Sequence, residues 1–119
     1  MPAIQIKRIY DQPKASDGYR ILVDRLWPRG IKKEDARIDE WNKILPPSPE
    51  LRKWFHQGNG RFPEFQIKYR LELKQHQEEL NRILEIAGRQ NVTLLYAAKD
   101  PLQNHAVILL DVFSVIKKK

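Results

Sequence analysis

Hydrophobic positions alternate with polar ones, or run together, in several short stretches that are typical of β-strands. Between Ala3 and Ile9, isoleucines alternate with polar residues, so we predict a half-buried strand there. The runs from Tyr19 to Val23 and from Val92 to Ala98 are almost continuously apolar, which indicates strands buried on both faces of a sheet. Residues 38–44 favour a short edge strand over a helix.

Other stretches have apolar residues at every third or fourth position, the spacing of an amphipathic helix. One helix begins at Ser48-Pro49-Glu50, a sequence that combines an N-cap with a proline in the first turn. A second stretch, from Pro63 to about Ala87, predicts one long helix that must pack along the whole domain or bend. The last helix is predicted from Asp100 to Ile116, and residues 32–37 predict one additional helical turn.

This order of strands and helices predicts an α/β fold. We expect one small domain over residues 1–119, with a largely parallel sheet of about three to four strands flanked by helices. The length supports one domain with a core of its own. The basic tail at residues 117–119 is expected to be frayed.

The charge of the chain favours anionic partners. Lysine and arginine number 22 against 15 acidic residues, a net charge of +7. Such a balance favours nucleotides or nucleic acid, although a solvated basic surface explains it equally well. No run is apolar for the roughly 18 residues that a bilayer span needs, so no membrane partner is expected. Because the chain also lacks cysteine and a signal-like segment, we predict a cytoplasmic location.

Two polar motifs follow the two apolar strands at the points where those strands should end. VDRLWPRG occupies residues 23–30, and AAKDPLQNHA occupies residues 97–106. Ligands of open parallel sheets bind beyond the carboxyl ends of the strands. If the two strands are parallel neighbours, the 24–30 and 99–105 loops form one cleft.

The residue types in these loops suit a phosphate-bearing ligand. Guanidinium forks match phosphate oxygens, and a glycine allows a close backbone approach. The predicted ligand-binding residues are Arg25, Arg29, Gly30, Lys99 and Asn104. The candidates for proton transfer are Asp24, Asp100 and His105.

Structural roles compete with these assignments. Leu26, Trp27 and Pro28 are expected to close the core, although Trp27 could also stack on a base. Asp24 could be locked in an ion pair with an arginine. Asp100 also fits a simple N-cap at the start of the last helix. Arg52 could line the cleft from the helical side.

The chain resembles the YeaO-like family, a group of small bacterial and archaeal proteins classed as domain of unknown function 488. The resemblance extends from about Lys7 to Leu110 through DGYRILVDRLWPRGIKKE, IDEWNKILPPSPELRKWF, FPEFQIKYRLEL and VTLLYAAKDPLQNHAVIL. It implies no substrate or catalytic residue. It does imply that the family signature lies on Asp24, Arg25, Trp27, Pro28, Arg29, Gly30, Trp41, Ser48, Leu51, Arg52, Trp54, Phe55, Tyr69, Tyr96, Asp100, Asn104 and Ala106.

Three functions remain open from the sequence. The first is binding of a nucleotide or nucleic acid in the cleft between the 24–30 and 99–105 loops, with or without catalysis. The second is nucleic-acid association through the basic surface, in a regulatory role without catalysis. The third is a metal-assisted hydrolase that uses Asp24 and Asp100. No cofactor is indicated, and the metal-binding and nucleotide-binding motifs HExxH, GxGxxG and the P-loop are absent from the sequence.

Overall fold

The computed structural model describes residues 3–58 and 60–117. The strands are β1 (Ile4–Arg8), β2 (Tyr19–Leu22), β3 (Glu40–Trp41) and β4 (Val92–Tyr96). The helices are α1 (Lys33–Ala36), α2 (Pro49–His56), α3 (Phe62–Leu73), α4 (Gln77–Ala87) and α5 (His105–Lys117). Short 3-10 turns lie at Ala15–Asp17 and Lys74–His76. Residues 118 and 119 of the predicted tail lie outside the described residues.

The four strands form one parallel sheet in the order β1-β4-β2-β3. This confirms the predicted α/β fold, with the two continuously apolar strands in the centre. Every residue of β4 is buried, because β1 and β2 flank it and side chains cover both faces. The edge strand expected within 38–44 is β3, which is only two residues long.

The long helix of the sequence prediction is a continuous helical segment from Phe62 to Ala87. The 3-10 turn at Lys74–His76 separates α3 from α4, and the backbone of His76 leaves helical geometry there at φ −120° and ψ 38°. The buried residues on both sides of this bend face the same core; they are Phe65, Tyr69, Leu73, Leu80, Ile83 and Ala87. Because of this bend, both halves of the helical segment pack on the same core.

The start of the last helix differs from the prediction. α5 begins at His105 rather than at Asp100. Oδ1 of Asp100 accepts hydrogen bonds from the backbone N–H groups of Leu102 and Gln103 and so closes a local turn. Asn104 caps the helix instead, because its Oδ1 accepts from the backbone N–H of Val107 at 3.1 Å.

The two faces of the sheet carry cores of unequal size. The larger core lies between the sheet and α2 to α5 and includes Ile21, Leu94 and Phe113. The smaller core lies on the opposite face, where the half-buried rings of Trp27 and Trp41 help to cover the sheet. Within the described residues, no helix combines the length and the apolar character that crossing a bilayer requires.

Gly18 is expected to be the glycine that least tolerates a side chain. It precedes β2 with φ 66° and ψ −127°, and a Cβ atom there would lie 2.1 Å from the backbone oxygen of Asn91. We expect Gly18→Ala to lower the free energy of unfolding by about 2–3 kcal/mol. Gly30→Ala is the matched control, since Gly30 also has a positive φ but open space around it, and we expect a loss of about 1 kcal/mol. Equal losses in urea denaturation would contradict the role of the Asn91 contact.

Candidate functional site

The two polar loops lie at the same edge of the sheet. β2 and β4 are parallel neighbours, with Leu22 opposite Leu95, so their carboxyl ends point the same way. The chain that leaves β2 turns toward β3, whereas the chain that leaves β4 enters α5, which packs against β1 and β4. The two connections therefore diverge and leave a crevice between them, as is typical of ligand sites in open parallel sheets.

Asp24 joins the two loops. Its Oδ2 accepts a hydrogen bond from the backbone N–H of Ala97 at 2.9 Å, and its Oδ1 lies 2.9 Å from Nε2 of His105. Both carboxylate oxygens therefore have partners within the protein. Asp24 therefore connects the two loops through the Ala97 backbone and the His105 ring, whereas the structural alternative drawn from the sequence pairs it with an arginine.

A cavity of about 430 Å³ opens between the loops, a size typical of small-molecule sites. It collects residues from β-strand ends, from α2 and from the segment that leads into α2. The lining residues are Tyr10, Asp24, Arg25, Leu26, Trp27, Pro28, Arg29, Pro46, Pro47, Arg52, Phe55, His56, Phe65, Ala97, Ala98, Gln103, Asn104 and His105.

The cavity contains three arginines in two different states. Arg25 donates from Nε to the carbonyl of Pro47 at 2.7 Å and from Nη2 to the carbonyl of Pro46 at 3.3 Å, so part of its guanidinium is used structurally. The guanidinium groups of Arg29 and Arg52 make no hydrogen bond or ion pair with any described residue. They are therefore the arginines most available to a ligand.

The wall that faces the two loops is held rigidly. Tyr69 is fully buried and donates its hydroxyl to the carbonyl of Leu45 at 2.6 Å. Glu72 accepts from both the backbone N–H and the hydroxyl of Ser48. Together with the hydrogen bonds from Arg25, these contacts fix residues 45–48 along one side of the cavity, an arrangement that favours preorganisation of the site.

His105 has a defined hydrogen-bonding role. Its Nε2 lies 2.7 Å from the carbonyl oxygen of Val23 and 2.9 Å from Oδ1 of Asp24. Both neighbours are acceptors, so Nε2 carries the proton and donates. The ring is thereby fixed at the first position of α5, and its side chain is 15% exposed.

His56 shows the electrostatic character of the cavity. Desolvation lowers the pKa of its imidazole below the ordinary value, and the electrostatic effects of Arg52 and His105 lower it further. The cationic groups of the cavity are thus close enough to disfavour another positive charge. The same positive groups would attract an anion bound at this place.

The motif that contains Trp27 divides between the core and the cavity. Trp27 is half-buried, donates from Nε1 to the carbonyl of Ile31 at 2.7 Å and packs edge-to-face on Trp41 with ring centroids 5.3 Å apart. Pro28 is buried as expected. The prediction that Leu26 closes the core is wrong, because the residue is 61% exposed and lines the cavity.

The structure brings together some of the predicted site residues and leaves others outside. Asp24, Arg25, Arg29, Asn104 and His105 line the cavity. Gly30, Lys99 and Asp100 do not line it. Gly30 adopts φ 78° with open space around it, which fits a turn. In residues 3–58 and 60–117, no three histidine or acidic side chains are arranged to hold a metal ion.

The sequence interpretation missed several residues that complete the cavity. Tyr10 follows β1, the segment Pro46-Pro47 precedes α2, and Phe55 and His56 lie on α2. The sequence places Arg52 only on the helical side of the expected cleft. A usable signal was present, since Arg52 and His56 are four residues apart in a helix and therefore share a face beside Phe55.

These features define a small α/β protein with a parallel sheet and a basic cavity at the carboxyl edge of its central strands. The chain belongs to the DUF488-N3i family, whose sequence profile is described as the inactive DUF488-N3 subclade and matches residues 3–118. This confirms the resemblance to the YeaO-like proteins.

Individual relatives cover most of the chain. It is 56% identical over 108 residues to the uncharacterized protein YeaO of Escherichia coli strain K12, a match that covers 91% of this chain and 94% of that protein. It is 39% identical over 106 residues to the uncharacterized protein Mb3100c of Mycobacterium bovis and Rv3073c of Mycobacterium tuberculosis, with 89% of each chain covered. No solved structure matches the chain.

Proposed function

We propose that the protein binds a phosphate-bearing small molecule of nucleotide size in this cavity and does so without turning it over. The observation that carries the proposal is the pair of guanidinium groups, on Arg29 and Arg52, that lack partners among the described residues and line one cavity. Such groups favour bidentate contacts with phosphate oxygens. The description of the family as an inactive subclade supports binding rather than catalysis.

The charges in the cavity favour an anion. Among the described residues, Asp24 is the only carboxylate that lines it, and both of its oxygens already accept hydrogen bonds or pair with His105. Three arginines stand against that one acidic group. A net positive, partly enclosed site attracts an anion and strengthens its interactions with the arginines.

The apolar lining favours a ligand that also carries a ring. Trp27, Phe55 and Phe65 contribute aromatic surface to the cavity, and Pro46 and Pro47 add flat apolar walls. Aromatic side chains beside arginines are a common arrangement for stacking a base while its phosphate is bound. A nucleotide uses both parts of this lining, whereas inorganic phosphate uses only the arginines.

The other functions receive less support. A cavity of about 430 Å³ fits a mononucleotide better than a continuous nucleic-acid strand. A metal-assisted hydrolase would need Asp24 and Asp100 together, but Asp24 is engaged with Ala97 and His105, and Asp100 does not line the cavity. A cytoplasmic location stays a prediction.

Isothermal titration calorimetry with adenosine, inorganic phosphate and the four ribonucleoside monophosphates tests the proposal. We expect adenosine monophosphate to bind about 10-fold or more tightly than adenosine, since charged hydrogen bonds to phosphate contribute about 1.5–3 kcal/mol each. We also expect it to bind more tightly than inorganic phosphate because of the aromatic lining. Equal affinity for adenosine and adenosine monophosphate would contradict the role of the arginines. Failure of all four ribonucleoside monophosphates to bind at millimolar concentration would overturn the proposal.

A further inference from the structure

One ring nitrogen of His105, a residue that lines the cavity, has no hydrogen-bond partner among the described residues. His105 donates from Nε2 to Val23 and Asp24, as described above. In a neutral imidazole the other nitrogen, Nδ1, is then an acceptor. No donor among residues 3–58 and 60–117 forms a hydrogen bond with Nδ1 of His105, so its lone pair has no partner within the described protein.

Most other fixed acceptors around the cavity are already in use. The Asn104 side chain accepts at Oδ1 from the backbone N–H of Val107 and donates from Nδ2 to the carbonyl of Asp100. Backbone carbonyls and a carboxylate at the cavity also accept at least one hydrogen bond each; they are those of Pro46, Pro47, Ala97, Ala98 and Asp24. Nδ1 of His105, whose ring is held through Nε2 by Val23 and Asp24, is therefore a fixed acceptor that a ligand can satisfy.

The arginines and His105 require different chemical groups on the ligand. The arginines supply donors, which match phosphate oxygens, whereas Nδ1 requires a ligand group that carries a hydrogen. A bound phosphate dianion has no such hydrogen. The complementary ligand bears a phosphate at the arginines and a hydroxyl group at His105, which is the composition of a phosphorylated sugar.

We propose that His105 is the specificity-determining residue of the cavity and accepts a hydrogen bond at Nδ1 from a sugar hydroxyl of the ligand. The inference rests on the proposed function, because it assumes that a phosphate-bearing ligand occupies this cavity. Asp24 is a positioning residue, since it holds Nε2 and thereby fixes the tautomer. Both a ribonucleotide and a sugar phosphate without a base carry this chemistry.

Affinities for matched probes test the inference. At about pH 8.5, where an imidazole is ordinarily uncharged, we expect dideoxyadenosine monophosphate, which lacks the ribose hydroxyls, to bind about 3–10-fold more weakly than adenosine monophosphate. His105→Phe should bind both probes equally, at the weaker level.

Ribose phosphate distinguishes the two ligand sources: weaker binding than adenosine monophosphate identifies a nucleotide, and tighter binding identifies a sugar phosphate. Equal affinity of the wild-type protein for the two adenosine probes overturns the role of His105 and leaves the proposed function intact, whereas failure of these three probes and of the other three ribonucleoside monophosphates to bind at millimolar concentration overturns both.

Ring-nitrogen chemical shifts of His105 provide a measurement that does not depend on the folding of a variant. We expect the free protein to show the tautomer with the proton on Nε2, and the Nδ1 signal to move when adenosine monophosphate binds but much less when the dideoxy probe binds. A proton on Nδ1 in the free protein would overturn the inference, because that nitrogen would then be a donor. The Asp24→Asn variant should show a mixture of tautomers, since a side-chain amide at that position can present either an acceptor or a donor to Nε2.

Discussion

Replacing Arg20 by methionine is expected to lower the free energy of unfolding by about 3–5 kcal/mol. Arg20 lies in β2 with 4% of its surface exposed, and its Nη1 pairs with the buried carboxylate of Asp17. It also donates from Nη2 to the carbonyl of Ala36 at 2.9 Å and from Nε to the carbonyl of Arg37 at 3.0 Å. Methionine fills much of the same volume but leaves a buried carboxylate and two carbonyls with fewer donors.

Urea denaturation of matched variants measures this effect. The control is Arg89→Met, which removes an ion pair with Glu85 whose side chains are 78% and 71% exposed, and its expected loss is below about 0.5 kcal/mol. The double variant Asp17→Asn with Arg20→Met should recover part of the loss, because it no longer buries an uncompensated charge. A loss below about 1 kcal/mol for Arg20→Met would show that the network contributes little.

The same network predicts a dependence on pH. Burial acts to raise the pKa of Asp17, but hydrogen bonds from the Lys14 backbone and from the Lys7 and Arg20 side chains outweigh it, so the pKa lies below its ordinary value. A carboxyl group with a lower pKa in the folded state stabilises the fold above its unfolded pKa, about 3.9, and loses that contribution as the pH falls through the folded value. The stability advantage of the wild type over Asp17→Asn should therefore shrink below about pH 4.

The burial of Arg20 shows what periodicity does not predict. The run from Tyr19 to Val23 is recognisable as a central strand, although it contains an arginine. The partners of that arginine are a carboxylate in the preceding 3-10 turn and two carbonyls at the end of α1, which the fold brings together. Nothing in the local sequence distinguishes this buried cation from the exposed ones around it.

The sheet and its site were predictable to different degrees. Parallel pairing of two apolar strands follows from their composition and from the helices between them, and it places Asp24 near Ala97 and His105. The predicted start of α5 at Asp100 was wrong, because an aspartate can close a local turn as readily as it can cap a helix. The contribution of α2 to the cavity depends on how that helix packs, which its own sequence does not specify.

The two arginines of the 24–30 loop also differ in a way that the sequence does not predict. Arg25 and Arg29 are four residues apart in one motif, and the sequence treats them alike. In the structure, two donors of Arg25 hold the carbonyls of Pro46 and Pro47, whereas the guanidinium of Arg29 has no partner among the described residues. Arg25 therefore shapes the cavity wall, and its replacement would combine effects on stability and on binding. Arg29 and Arg52 allow the two effects to be separated.

The double variant Arg29→Ala with Arg52→Ala is expected to weaken binding of adenosine monophosphate by about 100-fold or more. Each guanidinium contributes charged hydrogen bonds of about 1.5–3 kcal/mol to a phosphate, and a loss of about 1.4 kcal/mol corresponds to 10-fold in affinity. Because both side chains lack hydrogen bonds within the described protein, the free energy of unfolding should change by less than about 0.5 kcal/mol. Calorimetric titration and urea denaturation of the same preparation measure the two quantities.

The matched control is Lys33→Ala with Arg89→Ala, which removes two exposed positive charges that do not line the cavity. Both double variants reduce the net charge of +7 by two, so a general effect of charge on an anionic ligand would be the same in each. We expect the control to bind adenosine monophosphate within about 2-fold of the wild type at moderate salt, because neither residue lines the cavity and salt screens exposed charges. Equal weakening of both variants would contradict binding in the cavity and favour binding over the whole basic surface. A steep dependence of oligonucleotide affinity on salt would then confirm binding over the surface.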